Sequence, residues 1–507
     1  MPKYLINFVQ QYASFRIHEL ESVARLFNID IQYNKEDLEF IESLDPEIET
    51  PFLYVTVNSE EDIKKICTRS VLIKSVYSIW AETQLLDEIL NELHSKFDKQ
   101  FLSNYMINKT FKIEVESYGS KYNQKEKLEM MQKLKDSPLW DSGKCLMHPT
   151  EEQMDKHILW YILTDFGVER QGLVKDFTLL PRKVYFGQRI AKGNRDDIIK
   201  YNLSDRKYLG TTSMDPELSL VSANMGLVKK GHFVLDPFVG TGSFILVASH
   251  FGAQTVGCDI DIKAMRKEED CNLETNFKDH GLTSQFLGTI LCDNSCPPWR
   301  VNSMFDSIIT DPPYGIRAGA RKIGFKENRK FVPVPEGLRR DHIPQCIDYS
   351  VPDVMADLLE LAAKTLIVGG RLVYWLPTTP DYKETDLPRH PCLRLITASC
   401  LQILTNRWGR RLVTMEKIIE YNDSIHNKSL LVQEDLGQFD PQHKDLRAVV
   451  FWKKMGTNEK TKKKEQKKKS VENHLKSKNN NDVINNNSND TNSNNNCNNE
   501  NNIENQK

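Results

Sequence analysis

The chain has 507 residues, of which 39% are hydrophobic and 27% charged, a composition typical of globular rather than fibrous or membrane proteins. Because one core rarely organises so long a chain, two or three folded units and a tail are expected. Lysine and arginine total 68 against 70 acidic residues, a net charge of −2, so the whole chain lacks the electrostatic signature of a nucleic-acid binder and any basic surface must be local.

The N-terminal stretch lacks the core of a signal peptide, because Gln10 and Gln11 interrupt its apolar residues. No uncharged apolar run reaches the length of about 18 residues that a membrane span needs. The ten cysteines form no C-x-x-C pair, which favours reduced thiols over disulfides or zinc. We therefore expect a cytoplasmic protein with no membrane contact and no metal site.

Residues 1–185 alternate strand-like and helical patterns, which predicts an α+β module. The strand-like runs are Tyr4–Val9, Phe52–Val57 and Phe111–Val115, and the helical runs are Ile17–Phe27, Glu61–Ile66 and Thr83–Leu93. Residues 186–210 are basic and rich in turn formers, so they are predicted to be a linker. Its cations, including Arg189 and Arg206, are candidates for contacts with phosphates.

Residues 211–454 alternate apolar strands with helices, a pattern that predicts a parallel, doubly wound α/β sheet. Ligands of such sheets bind at the carboxyl ends of the strands. The predicted strands are Phe233–Leu235, Thr255–Cys258, Phe286–Cys292, Ser307–Thr310 and Leu372–Leu376.

Residues 455–507 pass through a lysine-rich run and then become dominated by asparagine. This segment has too little apolar surface to offset its chain entropy, so it is predicted to be disordered. Two functions remain open for this segment. It is either a solubilising tail, or a nuclear signal or RNA-attracting tail.

The first predicted strand of the sheet ends at Asp236, and a turn containing Gly240 and Gly242 leads into an apolar helix. Glycines allow a ligand to approach the backbone closely. Dinucleotide enzymes share such a turn, but Ile245 occupies the place of their third glycine. The pattern indicates a nucleotide-like cofactor of another kind.

Two further acids follow the next two strands. Asp259 stands about twenty residues beyond the glycine turn, where a carboxylate commonly holds ribose hydroxyls. Asp293 is placed to accept a hydrogen bond from an adenine amino group. Each acid alone also fits a simple strand-end turn, but acids at three successive strand ends favour a shared ligand.

The fourth strand ends in Asp311-Pro312-Pro313-Tyr314-Gly315. Because two prolines cannot continue a central strand, the chain must turn there, presenting the Asp311 carboxylate and the Pro312 carbonyl as acceptors and Tyr314 as a flat surface. Such a loop suits the exocyclic amine of an extruded base. The alternative is an ordinary proline-rich turn, which the preceding acid-tipped strands make less favoured.

Residues 236–242 and 311–315 together resemble the motifs of class I methyltransferases that modify amino nitrogens of nucleic-acid bases. Further runs are similar to the catalytic subunits of the eukaryotic tRNA (guanosine-10-N2)-methyltransferases. These runs lie at 4–19, 185–189, 208–215, 315–322 and 408–417. The resemblance spans about residues 1–454, with Thr211 standing where the family's run has proline.

This resemblance implies a Rossmann-like methyltransferase domain and an N-terminal RNA-binding module made of a ferredoxin-like part and a THUMP domain. It also implies S-adenosylmethionine as cofactor, tRNA as substrate and a small zinc-containing activator subunit as partner. The implied catalytic loop is Asp311, Pro312, Pro313 and Tyr314, and the implied cofactor residues are Asp236, Phe238, Gly240, Gly242, Asp259 and Asp293.

Three cations follow the catalytic loop, namely Arg317, Arg321 and Lys322, and they are expected to hold phosphates that flank the target base. A solvated loop is the alternative for this cluster. For the whole chain, three other functions stay open: N2-methylation of another tRNA or rRNA guanosine, methylation of adenine N6, and noncatalytic RNA binding. A nicotinamide enzyme is less favoured, since hydride transfer gives the Asp-Pro-Pro-Tyr loop no role.

Overall fold

The computed structural model describes residues 1–42, 49–145, 157–167, 180–210, 213–268, 271–300, 303–314, 320–324, 333–337 and 345–427. All of these described residues belong to one compact unit. The tail predicted at 455–507 and the domain boundaries predicted at 211 and 454 lie outside the described residues. Over the described ranges, no helix has the length and apolar character to cross a membrane.

The N-terminal residues build a seven-stranded sheet in the order β2-β1-β3-β7-β6-β4-β5. Its strands are β1 (Lys3–Phe8), β2 (Phe52–Thr56), β3 (Ile73–Thr83), β4 (Thr110–Tyr118), β5 (Lys144–Cys145), β6 (Ile158–Asp165) and β7 (Lys183–Lys192). Its helices are α1 (Arg16–Phe27), α2 (Leu38–Ile41), α3 (Glu60–Cys67), α4 (Ile89–Lys96), α5 (Lys99–Tyr105) and α6 (Gln124–Lys133). This arrangement confirms the predicted α+β module.

Helix α1 shows how the spacing of apolar residues determines which face of a helix packs against the sheet. Ile17, Leu20 and Ala24 recur at helical spacing and are buried against β1 and β2. The helix ends at Asn28, which adopts a left-handed conformation with φ of 56° and so closes the last turn.

Two predictions about the N-terminal residues are wrong. The helix predicted at Thr83–Leu93 begins only at Ile89, because β3 continues to Thr83, where that residue pairs with Val184. The predicted linker also starts too early. Strand β7 crosses residue 185 and reaches Lys192, since it is a central strand hydrogen-bonded to both β3 and β6.

The second seven-stranded sheet has the order β12-β9-β8-β13-β16-β18-β17. Its strands are β8 (Phe233–Asp236), β9 (Gln254–Asp259), β12 (Phe286–Leu291), β13 (Phe305–Thr310), β16 (Leu366–Thr378), β17 (Leu393–Thr405) and β18 (Trp408–Lys417). Strands β12, β9, β8, β13 and β16 are mutually parallel, and β18 runs antiparallel to both β16 and β17. The strand order reverses between β8 and β13, which confirms the predicted doubly wound sheet.

The remaining elements are short or lie around this sheet. The helices are α7 (Asp196–Lys200), α8 (Pro216–Met225), α9 (Ser243–His250), α10 (Ile262–Met265), α11 (Leu273–Asp279), α12 (Val351–Thr365) and α13 (Asp423–His426). Two hairpins pair β10 (Arg266–Glu268) with β11 (Cys271–Asn272) and β14 (Arg321–Ile323) with β15 (Cys346–Asp348). The 3-10 turns are Ala13–Phe15, Lys35–Asp37, Leu86–Glu88, Pro138–Trp140, Leu203–Asp205, Thr283–Gln285 and Glu384–Asp386.

Helix α8 connects the two sheets through a shared core. All ten of its residues are buried, and Leu218 and Val221 belong to the same apolar cluster as Phe15, Val71 and Leu72 of the N-terminal module. A helix that is buried on every side needs packing partners on every side. The two modules therefore share one core instead of being joined by a linker alone.

A buried polar contact accompanies this core. The Glu19 carboxylate accepts hydrogen bonds of 2.6–3.0 Å from residues 70–72 and from the Asn224 amide. The Arg69 guanidinium donates to Asn224 Oδ1 at 2.5 Å and to the Val228 carbonyl at 2.7 Å. Burial raises the pKa of Glu19 and lowers that of Arg69 to about 9. Both buried charges are thus tied to the same amide of α8.

Replacing Arg69 with Ala should lower the free energy of unfolding by about 2–4 kcal/mol, because it leaves a buried amide and a carbonyl without their charged donor. Lys64→Ala is the control, since Lys64 pairs with Glu60 and Glu61 at the surface and should cost less than about 1 kcal/mol. Urea unfolding of the full chain measures both values. Equal losses for the two variants would contradict the structural role of Arg69.

Candidate active site

Four acids predicted from the sequence meet at one edge of the second sheet. Asp236 and Asp259 end the adjacent parallel strands β8 and β9, and Asp311 directly follows β13 on the other side of β8. Asp293 follows β12, the neighbour of β9. The structure therefore brings these side chains to the carboxyl edge, at the point where the strand order reverses and open α/β sheets bind ligands.

Asp236 is the most deeply buried of the four, with 1% of its surface exposed. Its Oδ1 accepts hydrogen bonds from Thr310 Oγ1 at 2.7 Å and from the Phe238 amide at 3.1 Å. Burial, with smaller contributions from the nearby Asp259 and Asp311, raises its pKa to about 7. This carboxyl group links the end of β8 to the end of β13 and fixes the start of the glycine turn.

The glycine turn is held by Asp259. The amide of Gly240 donates to Asp259 Oδ2 at 3.0 Å, and the amide of Asp261 donates to Oδ1 at 2.9 Å. Gly240 and Gly242 have φ angles of 47° and 81°, a region that other residues rarely adopt. A Cβ atom built on Gly240 meets no atom within 4 Å, so the space over this residue is open to a ligand.

Asp293 is buried and uses both oxygens within the protein. Its Oδ1 accepts from the Ser295 amide at 2.8 Å, and its Oδ2 accepts from the Ile323 amide at 2.6 Å. Ile323 belongs to the β14–β15 hairpin, which follows the catalytic loop in the chain. Asp293 thus fixes that hairpin to the sheet edge, while its contact with adenine stays a prediction.

The carboxylate of Asp311 forms an ion pair that the sequence did not reveal. Arg410, in the antiparallel strand β18, places Nη1 at 3.1 Å from Asp311 Oδ2. Pro312 is buried, Pro313 is half-buried, and Tyr314 is half-buried against the apolar cluster that contains Phe15. Residues 408–417 carry part of the family resemblance, but nothing in their sequence indicates that Arg410 contacts the catalytic loop.

The cations predicted to contact phosphates lie in different places. Arg189 is in β7, where it donates to the hydroxyl of Tyr161 at 3.1 Å. Arg321 is exposed at the start of β14, and Lys322 lies 5.2 Å from the ring of Tyr349. Arg317 and Thr211 lie outside the described residues. Arg189 thus belongs to the N-terminal sheet, whereas Arg321 and Lys322 are neighbours in β14.

Arg206 does not fit the predicted contact with phosphate. Only 7% of its surface is exposed, and Nη1 donates to Ser243 Oγ at 3.0 Å. Burial lowers its pKa to about 10. A guanidinium enclosed in this way beneath the start of α9 is inaccessible to an RNA backbone, so the earlier assignment is corrected to a structural one. The sequence could not distinguish a structural arginine from a phosphate-binding one, since either can stand in a basic segment.

Asp236→Asn should flatten the pH dependence of stability between about pH 4 and pH 7. The folded protein holds the Asp236 proton more tightly than the unfolded chain, so this group's stabilisation is complete at low pH and is lost as pH rises through its folded pKa of about 7. Each tenfold difference in proton affinity corresponds to about 1.4 kcal/mol. Asparagine keeps the acceptor oxygen without the titration.

Urea unfolding from pH 4 to pH 8 measures this effect, with Thr310→Ser as the control because it keeps both the hydroxyl donor and the acid. The control should retain the wild-type slope. An unchanged slope in Asp236→Asn would show that Asp236 does not hold its proton in the folded protein.

Comparisons with known proteins show what this chain is similar to. A sequence model described as the Tmrp11 THUMP N-terminal domain matches residues 2–195. The Bos taurus tRNA (guanine(10)-N(2))-methyltransferase TRMT11 is 34% identical over 445 residues, covering 85% of this chain and 91% of the relative. The Saccharomyces cerevisiae tRNA (guanine(10)-N(2))-methyltransferase is 34% identical over 427 residues, covering 82% and 92%.

Among solved structures, TrmN from Thermus thermophilus matches 82% of this chain and 100% of its own, with 15% identity and a TM-score of 0.40. Because relatives at 34% identity extend across nearly the whole of both chains, this chain belongs to the tRNA (guanine(10)-N(2))-methyltransferase family.

Proposed function

We propose that this chain transfers a methyl group from S-adenosylmethionine to the N2 amino group of guanosine 10 in tRNA. The observation that carries the proposal is the loop Asp311–Tyr314, which the structure places beside the glycine turn at the carboxyl edge of the sheet. The family relatives are named for this reaction. Among the alternatives, noncatalytic RNA binding leaves this set of acids and its loop without a role.

The residues at the sheet edge fit the cofactor. Gly240 leaves open space where a ligand can lie over the turn, and Asp259 stands where its carboxylate can accept from ribose hydroxyls. Phe238 is half-buried next to this turn, and Asp293 lies at the adjoining strand end. The cofactor, when bound, supplies an electrophilic methyl group on a sulfonium. Asp236 shapes the turn from beneath, through its bond to the Phe238 amide.

Asp311 and Pro312 act on the nucleophile. An amino group conjugated with a purine ring is a poor nucleophile, because its lone pair is delocalised into the ring. Two acceptors on its N–H groups, the Asp311 carboxylate and the Pro312 carbonyl, stabilise the positive charge that develops on nitrogen during attack. Tyr314 offers a surface on which the extruded base can stack. With the cofactor bound, the methyl group would pass directly to nitrogen as its bond to sulfur breaks, with S-adenosylhomocysteine as the leaving group and no covalent enzyme intermediate. The surplus amino proton would pass to the Asp311 carboxylate or to water.

The N-terminal module is proposed to bind the tRNA. The THUMP model matches this module, and its sheet joins the catalytic sheet through the core around α8. A bound tRNA would therefore be held in a fixed relation to the catalytic edge. Arg321 is exposed on the hairpin that follows the catalytic loop, where it can contact a phosphate next to the target base.

The proposed partner is the small zinc-containing activator subunit that the family resemblance implies. Strand β12 is an edge strand of the catalytic sheet, and its Leu287 and Leu291 are 55% and 48% exposed. An edge strand with exposed apolar side chains favours coverage by another chain. This edge is therefore the surface we assign to the activator.

Incubation of the chain with labelled S-adenosylmethionine and unmodified tRNA should yield N2-methylguanosine at position 10, and the activator should increase the yield by covering apolar surface. A tRNA with adenosine at position 10 is the control and should accept no label. Nucleoside analysis and position mapping identify the product. Label in adenosine, or at another guanosine, would contradict the proposed substrate.

Asp311→Ala should reduce the single-turnover rate by about 10²–10³, the scale of losing one preorganised electrostatic contact. Asp311→Asn keeps an acceptor oxygen but loses the charge, so its rate should lie between wild type and the Ala variant. Affinity for S-adenosylhomocysteine, measured by calorimetry, should change little in either variant. Near-wild-type turnover by Asp311→Ala would exclude this mechanism even if cofactor binding were intact.

A further inference from the structure

We propose that Arg410 is a positioning residue for the carboxylate of Asp311, and that the N-terminal module completes this arrangement through the contact of its Tyr12 with Gln402 of β17. The inference rests on the proposed function, because Asp311 is catalytic only in that reaction. The inference gives the Trp408-Gly-Arg410-Arg411 run a role in catalysis, beyond its place in the family resemblance.

The ion pair lies in a partly shielded place. Arg410 stands opposite Pro377 in the register of β18 and β16, and its side chain reaches back to the loop after β13. The side chains of Arg410 and Asp311 are 16% and 21% exposed, and their nearest charged atoms are 3.1 Å apart. An ion pair with this little exposure is screened less than a surface pair, so it can fix the orientation of the carboxylate.

Every nitrogen of the Arg410 guanidinium has a partner. Nη1 contacts Asp311, Nε donates to Gln402 Oε1 at 2.6 Å, and Nη2 lies 3.2 Å from the sulfur of Met214. The guanidinium carbon is also 4.6 Å from the ring centroid of Trp375, within the range of a cation–π contact. The cation is thus held in one orientation before substrate arrives, as positioning requires.

The N-terminal module supports this cation from the far side. The Tyr12 hydroxyl lies beside the Gln402 side chain, whose oxygen accepts a hydrogen bond from Arg410. Ser14 Oγ accepts from the Leu401 amide at 2.9 Å, and the Phe15 ring lies 6.0 Å from that of Trp375.

Tyr12 has φ of 59°, a left-handed conformation that is uncommon for a non-glycine residue. Such a conformation persists where the surrounding contacts fix it. A continuous chain of side chains therefore runs from the N-terminal module to the catalytic carboxylate.

The charges around Asp311 explain why a cation is needed. Asp236 is buried nearby, and the two acids interact unfavourably when both are ionised. Arg410 is a cation in direct contact with Asp311, and Asp215 and the Tyr12 hydroxyl lie near Arg410 in turn. Arg410 thus favours the ionised form of Asp311 that the proposed mechanism uses, and it sets the plane of that carboxylate.

Arg411 provides a matched control in the same strand. It points to the opposite face, donates to the Ala398 carbonyl at 3.1 Å and lies 4.2 Å from the ring of Tyr382. Like Arg410, it is half-buried and stacked on an aromatic ring, and burial lowers its pKa. Its replacement tests the loss of a stacked arginine from β18 without removing the contact with Asp311.

The test compares Arg410→Gln, Arg410→Lys and Arg411→Gln in single-turnover methylation of tRNA from pH 5.5 to pH 9. Arg410→Gln should reduce the rate by about tenfold to a hundredfold, the scale of a misplaced catalytic group, with Kd for S-adenosylhomocysteine and for tRNA nearly unchanged. The acid limb of its pH–rate profile should move to higher pH, because Asp311 loses the cation that favours its ionised form. Arg410→Lys should recover part of the rate, and Arg411→Gln should remain close to wild type.

Equal rates and equal acid limbs for Arg410→Gln and wild type would overturn the inference, and so would equal losses for Arg410→Gln and Arg411→Gln. If Arg410→Gln fails to fold, Gln402→Met leaves the arginine in place and removes the acceptor of Nε together with the contact to Tyr12, and it should give a smaller loss with the same direction of pH change. No change in Gln402→Met would also overturn the inference. Failure of the wild-type chain to methylate guanosine would instead refute the proposed function.

Discussion

The concentration of acidic side chains at the carboxyl edge of a parallel sheet is the constraint on which the rest of the structure depends. Carboxylates brought together away from water repel one another and lose hydration, so each must be compensated. Asp236 is compensated by a threonine hydroxyl and a backbone amide, Asp259 and Asp293 by pairs of amides, and Asp311 by Arg410. The hydrogen bonds that compensate Asp236, Asp259 and Asp293 therefore also hold loops in place.

The need for a cation at Asp311 gives a role to the two antiparallel strands, β18 and β17, that lie beyond the parallel strands of the second sheet. Strands β18 and β17 extend the sheet, and they supply the arginine together with Gln402, its hydrogen-bond acceptor. The outer strand β17 then receives the turn at Ala13–Phe15. The N-terminal module is consequently part of the framework that supports the catalytic loop, in addition to its proposed role in binding tRNA.

Features encoded by neighbouring residues were predictable from the sequence. The strands, the glycine turn and the Asp-Pro-Pro-Tyr loop each lie within a few residues, and the sheet topology places them together without further information. Contacts between distant residues were not predictable. The bond from Ile323 to Asp293 and the ion pair of Arg410 with Asp311 depend on how hairpins fold back across the sheet. The burial of Arg206 and the position of β7 depend on packing that composition does not record.

The contact between Ser14 and Leu401 joins residues 387 positions apart in the chain. A ribosome that adds about 5–20 residues per second needs on the order of 20–80 s to synthesise the intervening segment. Throughout that interval the turn at Ala13–Phe15 has been made but its strand partner has not. The nascent N-terminal module therefore cannot complete its contact with the catalytic sheet until β17 has left the ribosome.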